Sequence, residues 1–199
     1  MEEKILKEVG EMFMTYGVRS VSMDDISRHM GISKKTLYQY FKDKNELVEK
    51  GTEQHIRLQQ KEYDEVTQKA TNAIEELHLM SKCLRNHLAE LNPSLVFDLK
   101  KFYPSAWDIV VNYERKTVFE SIKDNLDRGK KEGYFRKEIN ANILARLRVE
   151  QVHMSFDPAV FPKNKFEFPM VHVEMFDHYI YGLLTDKGHE LYKQYKNEI

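Results

Sequence analysis

Three sets of side chains in this 199-residue chain have types and spacings that could do chemistry. The first is Ser33-Lys34-Lys35-Thr36, followed closely by Tyr38, Tyr40 and Lys44, with Ser22 upstream. Hydroxyl, ammonium and phenol groups in one short run are the donors that hold phosphate oxygens and reach base edges in a DNA groove. The second is Glu75-x-x-His78 and Glu150-x-x-His153. Such i, i+3 pairs supply ligands to di-iron carboxylate centres in helical bundles. The third is a group of aromatic and sulfur residues with a few polar ones: Met80, Cys83, His87, Phe97, Phe102, Tyr103, Trp107, Asn112 and His153. That mixture suits the lining of a pocket for a partly apolar small molecule.

Each set depends on the elements that position it. Ile5, Leu6, Val9, Met12, Phe13 and Tyr16 recur at helical spacing, and Gly17 is placed for a left-handed stop. Ser22 with Asp25 three residues on reads as a capping box, opening a short helix that carries Ile26 and Met30 inward and ends at Gly31. Ser33 caps the next helix, 34–41, and Asp43 with Glu46 opens a long one from Lys44 to about Lys69. Residues 23–40 therefore have the layout of a helix-turn-helix. Ser27 is small where the helices approach, Gly31 makes the turn, and Ile26, Met30, Ile32 and Leu37 clamp the angle, with Phe41 completing the core. The donor run falls on the free N-terminal side of the second helix. Caps and surface lysines are common in isolation, but here they share one side of a glycine-turned helix pair.

The run from Tyr16 to Leu47 resembles the DNA-binding domain of the TetR family of bacterial transcriptional regulators. Its core, a Gly-Ile-Ser turn followed by Leu-Tyr-x-Tyr-Phe-x-x-Lys-x-x-Leu, lies between Gly31 and Leu47. Ser27 departs from the alanine often found there but is still small. The resemblance implies an all-α homodimer. An N-terminal three-helix bundle with a helix-turn-helix, 1–47, would precede a larger helical effector-binding and dimerisation domain, 48–199. It implies a DNA-binding regulator, a repressor released from a pseudo-palindromic double-stranded operator by a small effector, with no cofactor, no metal and no enzymatic activity. The last two long helices would form the dimer interface. Ile143, Leu144, Leu147, Gln151 and Met154 make one stripe there, and Val171, Met175, His178, Tyr179 and Gly182 the other.

Beyond residue 70 the spacing predicts helices near 71–91, 94–102, 105–131, 140–156, 168–184 and 187–197. Pro93 and Pro104 bracket the second of these, and Gly129 and Gly133 mark the end of the third. Residues 158–169 hold three of the five prolines and read as a loop with buried aromatic anchors. With 21 Glu and 8 His in the chain, a Glu-x-x-His pair or two is expected by chance. The bridging glutamates of a di-iron site would have to come from helices that instead place Glu114 and Glu120 among lysines and arginines, so that alternative ranks far below DNA binding. A helical protein-interaction module explains the long helices but not the Ser-Lys-Lys-Thr run. No Gly-rich phosphate loop, His-Glu-x-x-His or nucleophile elbow occurs, and Cys83 reads as core.

Composition agrees with this. The chain is 41% hydrophobic, with 8 Gly and 5 Pro, which favours long helices and a real core over a turn-rich β fold. One cysteine excludes an internal disulfide framework. The sequence lacks the apolar run of roughly 18 residues that a membrane helix needs, and Met1-Glu2-Glu3-Lys4 does not open a signal peptide, so a cytoplasmic protein without membrane partners is expected. The net charge of −1 argues against a nucleic-acid coat protein. Its distribution argues for a local contact: Arg28, Lys34, Lys35, Lys42 and Lys44 face only Asp43 between residues 28 and 44.

Overall fold

A computed structural model describes residues 1–90, 94–162 and 164–196, giving the backbone alone for 88–90 and 168. Pro93, expected to bracket a helix, lies outside the described residues. The described chain is all-α: α1 (Glu2–Tyr16), α2 (Met23–Met30), α3 (Lys34–Tyr40), α4 (Lys44–Lys69), α5 (Ala73–Glu90), α6 (Leu95–Phe102), α7 (Pro104–Tyr113), a π-helical turn (Glu114–Val118), α8 (Phe119–Glu132), α9 (Ala141–Ser155), α10 (Phe168–Tyr181) and α11 (Asp186–Lys196). No β-strand forms among the described residues; one isolated antiparallel bridge joins Phe135 and Leu184.

Two compact units divide the chain. The first comprises Met1–Lys61 with Glu90–Tyr113. Its core takes Ile5 and Val9 from α1, Val18 from the turn, Ile26 from α2, Leu37 from α3 and Phe41 and Leu47 beyond it, all fully buried. Burying a side chain of this size stabilises a fold by roughly 1.5–3 kcal/mol. Leu99 of α6 and Ala106 of α7 join the same core, with Tyr103 and Trp107 packed against it. Those two aromatics, expected to line a pocket among the later helices, are thus partly consumed by the core of the N-terminal unit.

The second unit comprises Glu62–Ala89 with Glu114–Ile199. Ala73, Ile74, Leu77, Leu126, Phe135, Ala145, Phe176, Ile180, Leu183 and Tyr192 form its apolar centre. Glu76, buried among them, is held by Arg128, whose Nη1 donates to Glu76 Oε2 at 2.9 Å and whose Nε donates to Glu132 Oε1 at 2.7 Å.

Two sequence expectations are corrected here. The single helix predicted over 105–131 is interrupted by the π-helical turn at Glu114–Val118, where Glu114 pairs with His153 of α9. A π turn adds one residue per turn and so shifts the faces beyond it, which a uniform 3.6-residue period does not register. The aromatic anchors of the 158–169 loop are not buried: Phe161 is half-buried and Phe166 is 45% exposed, the two rings meeting edge to face at 5.5 Å on the surface.

Candidate nucleic-acid interface

The interface is built on two capped helices. Ser22 Oγ accepts from the Asp25 backbone N–H at 3.1 Å, and Asp25 Oδ2 accepts from the Ser22 backbone N–H at 3.0 Å, so both halves of the capping box are present. The hydrogen bond from the Ser22 side chain holds the Asp25 carboxyl below its usual value. Gly31 ends α2 with φ 64° and ψ 31°, a left-handed turn that a side chain would strain. Ser33 Oγ then accepts from the Thr36 N–H at 3.0 Å and opens α3. Ser27, the small residue of the motif, is buried and donates to the Met23 carbonyl at 2.8 Å. Gly17 departs from the expected left-handed stop: its φ is 80° but its ψ of 152° is extended.

This frame leaves Ser33, Lys34, Lys35 and Tyr38 exposed and Thr36 and Tyr40 half-buried, while Leu37 points into the core. The first turn of α3 thus presents hydroxyls and two ammonium groups outward, and Ser22 is exposed at the start of α2. Lys34 is drawn to Asp24 at 2.5 Å, an exposed ion pair that exchanges readily with a phosphate partner. Lys35 makes no ion pair among the described residues. Lys44 behaves differently. Its Nζ donates to the Val18 carbonyl at 2.6 Å and stands 5.9 Å from the Tyr103 ring centroid. Burial pulls its pKa below the usual lysine value, with Arg19 acting in the same direction and Asp98 and Asp25 against it. The Arg19 backbone N–H donates to Asp98 Oδ2 at 3.3 Å, and the Arg19 guanidinium lies 4.2 Å from the Phe102 centroid. Arg19 and Asp98 were not singled out from the sequence, because the contact joins residues 79 positions apart.

The residues expected to form an effector pocket divide between the units. Phe97, Phe102, Tyr103, Trp107 and Asn112 belong to the first, where Phe97 and Asn112 are exposed; Met80, Cys83, His87 and His153 belong to the second. A small recess of about 130 Å³ in the first unit is lined by Asn45, Glu49, Phe102, Tyr103, Pro104 and Ser105. In the second, His87 pairs with Glu62 at 2.8 Å, and burial pushes the Cys83 thiol up to about 11. Among the interface candidates, Ile143, Leu147, Met154, His178 and Gly182 are exposed, Leu144, Gln151 and Met175 are half-buried, and Val171 and Tyr179 are buried within their own unit. Met170, Val173 and Tyr181, not anticipated, complete an exposed apolar stripe on α10.

The di-iron alternative gains no support from the geometry. Glu75 accepts from the Thr71 backbone and hydroxyl, His78 is buried and stacks on Tyr195, and His153 is taken by Glu114.

Comparison with known proteins bears on the same segment. Residues 5–50 match the family model of bacterial regulatory proteins, tetR family. Over 188 residues the chain is 27% identical to the HTH-type transcriptional regulator YvaF of Bacillus subtilis (strain 168), covering 94% of this chain and 97% of that one. The fold is similar to that of a transcriptional regulator from Cytophaga hutchinsonii, with a TM-score of 0.75 at 21% identity over 92% of this chain and 98% of the other. It is also similar to that of a transcriptional regulator from Saccharomonospora viridis in complex with choline, with a TM-score of 0.75 at 17% identity over 92% and 97%. With the capped, glycine-turned helix pair in place, these matches identify a DNA-binding transcriptional regulator whose residues 5–50 are similar to the tetR family of bacterial regulatory proteins.

Proposed function

We propose that the protein is a repressor that binds a pseudo-palindromic double-stranded operator as a homodimer and releases it when a small molecule occupies its helical body. The observation that carries this reading is the first turn of α3, where Ser33, Lys34, Lys35 and Thr36 are presented outward by a glycine turn and a serine cap. A recognition helix meets the major groove through its N-terminal residues, and a symmetric dimer places two such helices about one helical turn apart. Ser22, Tyr38, Tyr40 and Lys44 would hold the flanking phosphates, Lys44 on giving up its bond to Val18. Residues 1–47 serve as the DNA-binding domain and 48–199 as the effector-binding and dimerisation domain. The protein works without cofactor or catalysis in the cytoplasm. No described helix is long and apolar enough to cross a membrane.

The exposed stripes support the dimer. Ile143, Leu147 and Met154 on α9 and Met170, Val173 and Tyr181 on α10 leave apolar surface that a second copy would cover. A ligand weakens DNA binding only if it has different affinities for the DNA-competent and incompetent states. The choline complex of one structural neighbour supports a small-molecule role for the body, although the ligand for this chain must follow from its own residues.

Selection of duplexes bound by the full chain from a random DNA pool tests the reading. Enrichment of an inverted repeat with half-sites about one turn apart is expected. Recovery of no shared sequence, or of a lone half-site with a monomer on it, would contradict it.

A further inference from the structure

Three polar side chains of the second unit are buried with polar atoms that no described residue hydrogen-bonds. Arg148 on α9 is 6% exposed, and His172 and Tyr179 on α10 are 1% and 5% exposed. Arg148 Nη1, both ring nitrogens of His172 and the Tyr179 hydroxyl have no hydrogen-bond partner among the described residues. The three are neighbours. The Arg148 guanidinium lies 5.4 Å from the Tyr179 centroid and 5.4 Å from that of Phe176, and His172, four residues before Phe176 and seven before Tyr179, shares their buried face of α10. Arg85 of α5 adds a second positive influence on His172, its own Nη1 donating to Ser81 Oγ at 3.0 Å.

No described carboxylate answers this charge, whereas Glu76, the buried acid of the same unit, has its arginine. Leaving a buried ion unpaired destabilises a fold. Ring faces offset only part of that cost. Burial lowers the Arg148 pKa to about 10, so the guanidinium is still charged at neutral pH. Burial, with the charges of Arg148 and Arg85, lowers His172 to about 4, so its ring is neutral there, and burial likewise pushes the Tyr179 hydroxyl up and keeps it protonated. The three groups together supply one fixed positive charge with a planar fork of donors, one phenolic donor, and one imidazole offering an N–H and a lone pair. The complement is a single negative charge spread over two coplanar oxygens. The Phe176 and Tyr179 faces suit an apolar remainder.

We propose that Arg148, His172 and Tyr179 form an internal binding site for a small organic monocarboxylate, held by Arg148 and oriented by the other two. This gives a chemical class to the effector of the function proposed above and rests on that reading for its biological role, but the binding itself does not depend on DNA.

The test is calorimetric titration and thermal unfolding of the full chain with hexanoate, with hexanamide, sodium phosphate and sodium chloride as controls. Hexanoate is expected to bind one per chain and raise Tm, and the three controls are not. Arg148→Met should weaken hexanoate at least about 30-fold, the loss of one partner of a buried charge pair. It should also raise the ligand-free Tm, because the unpaired charge is gone; an arginine serving only as a structural strut would give a fall. Should Arg148→Met not fold, Tyr179→Phe and His172→Gln keep the same question open to measurement, each expected to weaken hexanoate about 5- to 10-fold as a single hydrogen bond is lost. No binding by straight-chain carboxylates from acetate to decanoate would overturn the site. So would affinity unchanged in these variants, or an equal response to phosphate or chloride. Release of the selected operator is measured separately. Operator binding that persists beside a failed hexanoate titration removes this site alone, and hexanoate binding beside a failed selection removes the repressor reading alone.

Discussion

The segment that meets DNA and the helical body solve the burial of polar groups in opposite ways. Through residues 1–50 no buried side-chain nitrogen or oxygen lacks a partner. Ser27 donates to the Met23 carbonyl, and Lys44 donates to that of Val18. In the second unit Arg148 Nη1, both His172 ring nitrogens and the Tyr179 hydroxyl are buried with no hydrogen-bond partner among the described residues. A surface that must present the same donors to a rigid duplex gains from a satisfied, tightly packed base. A region that must respond to a small molecule gains from a polar deficit that the molecule can fill. On the function proposed above, the difference would set a rigid display surface against a responsive body.

Breaking the packed side of this comparison should have the largest effect. Leu37→Ala removes a fully buried side chain beneath α3. It should cost about 2–5 kcal/mol in denaturant unfolding and abolish DNA binding. The polar deficit of the body should be visible in acid. His172 has a folded pKa near 4, below its unfolded value, so the unfolded chain takes up the proton first. Stability contributed by the neutral ring is present above about pH 6.5 and is lost as pH falls toward 4. The loss is up to about 3 kcal/mol, measured by unfolding at a series of pH values, and His172→Gln should flatten the profile. Ser22→Ala breaks one half of the capping box and should cost about 1 kcal/mol. Lys35→Ala should leave stability within about 0.5 kcal/mol. It should nevertheless lower the salt dependence of DNA binding by about one counterion, which separates display from packing.

The satisfied segment was also the legible one. Ser22, Gly31 and Ser33 act through bonds spanning three or four residues, and such local geometry is written in the order of residue types. Lys44 shows the limit: its spacing marks it as a phosphate donor, yet folding brings its ammonium to a carbonyl 26 positions away. Arg148 left a faint trace, a charged residue at position 148 three beyond Ala145, in line with the buried face of α9. The apolar stripe of Ile143, Leu147 and Met154 marks the outward face of the same helix instead. The pocket candidates were scattered for a related reason. Aromatic content does not say which core claims each ring, and α6, α7 and the residue between them give Leu99, Trp107 and Tyr103 to the N-terminal core. The π-helical turn escaped because it breaks the period on which helix assignment depends.

The central claim is that α3 reads base sequence while residues around it hold the backbone. Binding of the wild type, Thr36→Ala and Lys44→Ala to the selected duplex and to a scrambled one, across a salt series, tests it most directly. Thr36→Ala should lose affinity for the selected duplex while keeping that for the scrambled one. Lys44→Ala should weaken both and lower the salt slope by about one. Equal losses on the two duplexes for both variants, with no change in slope, would contradict the account.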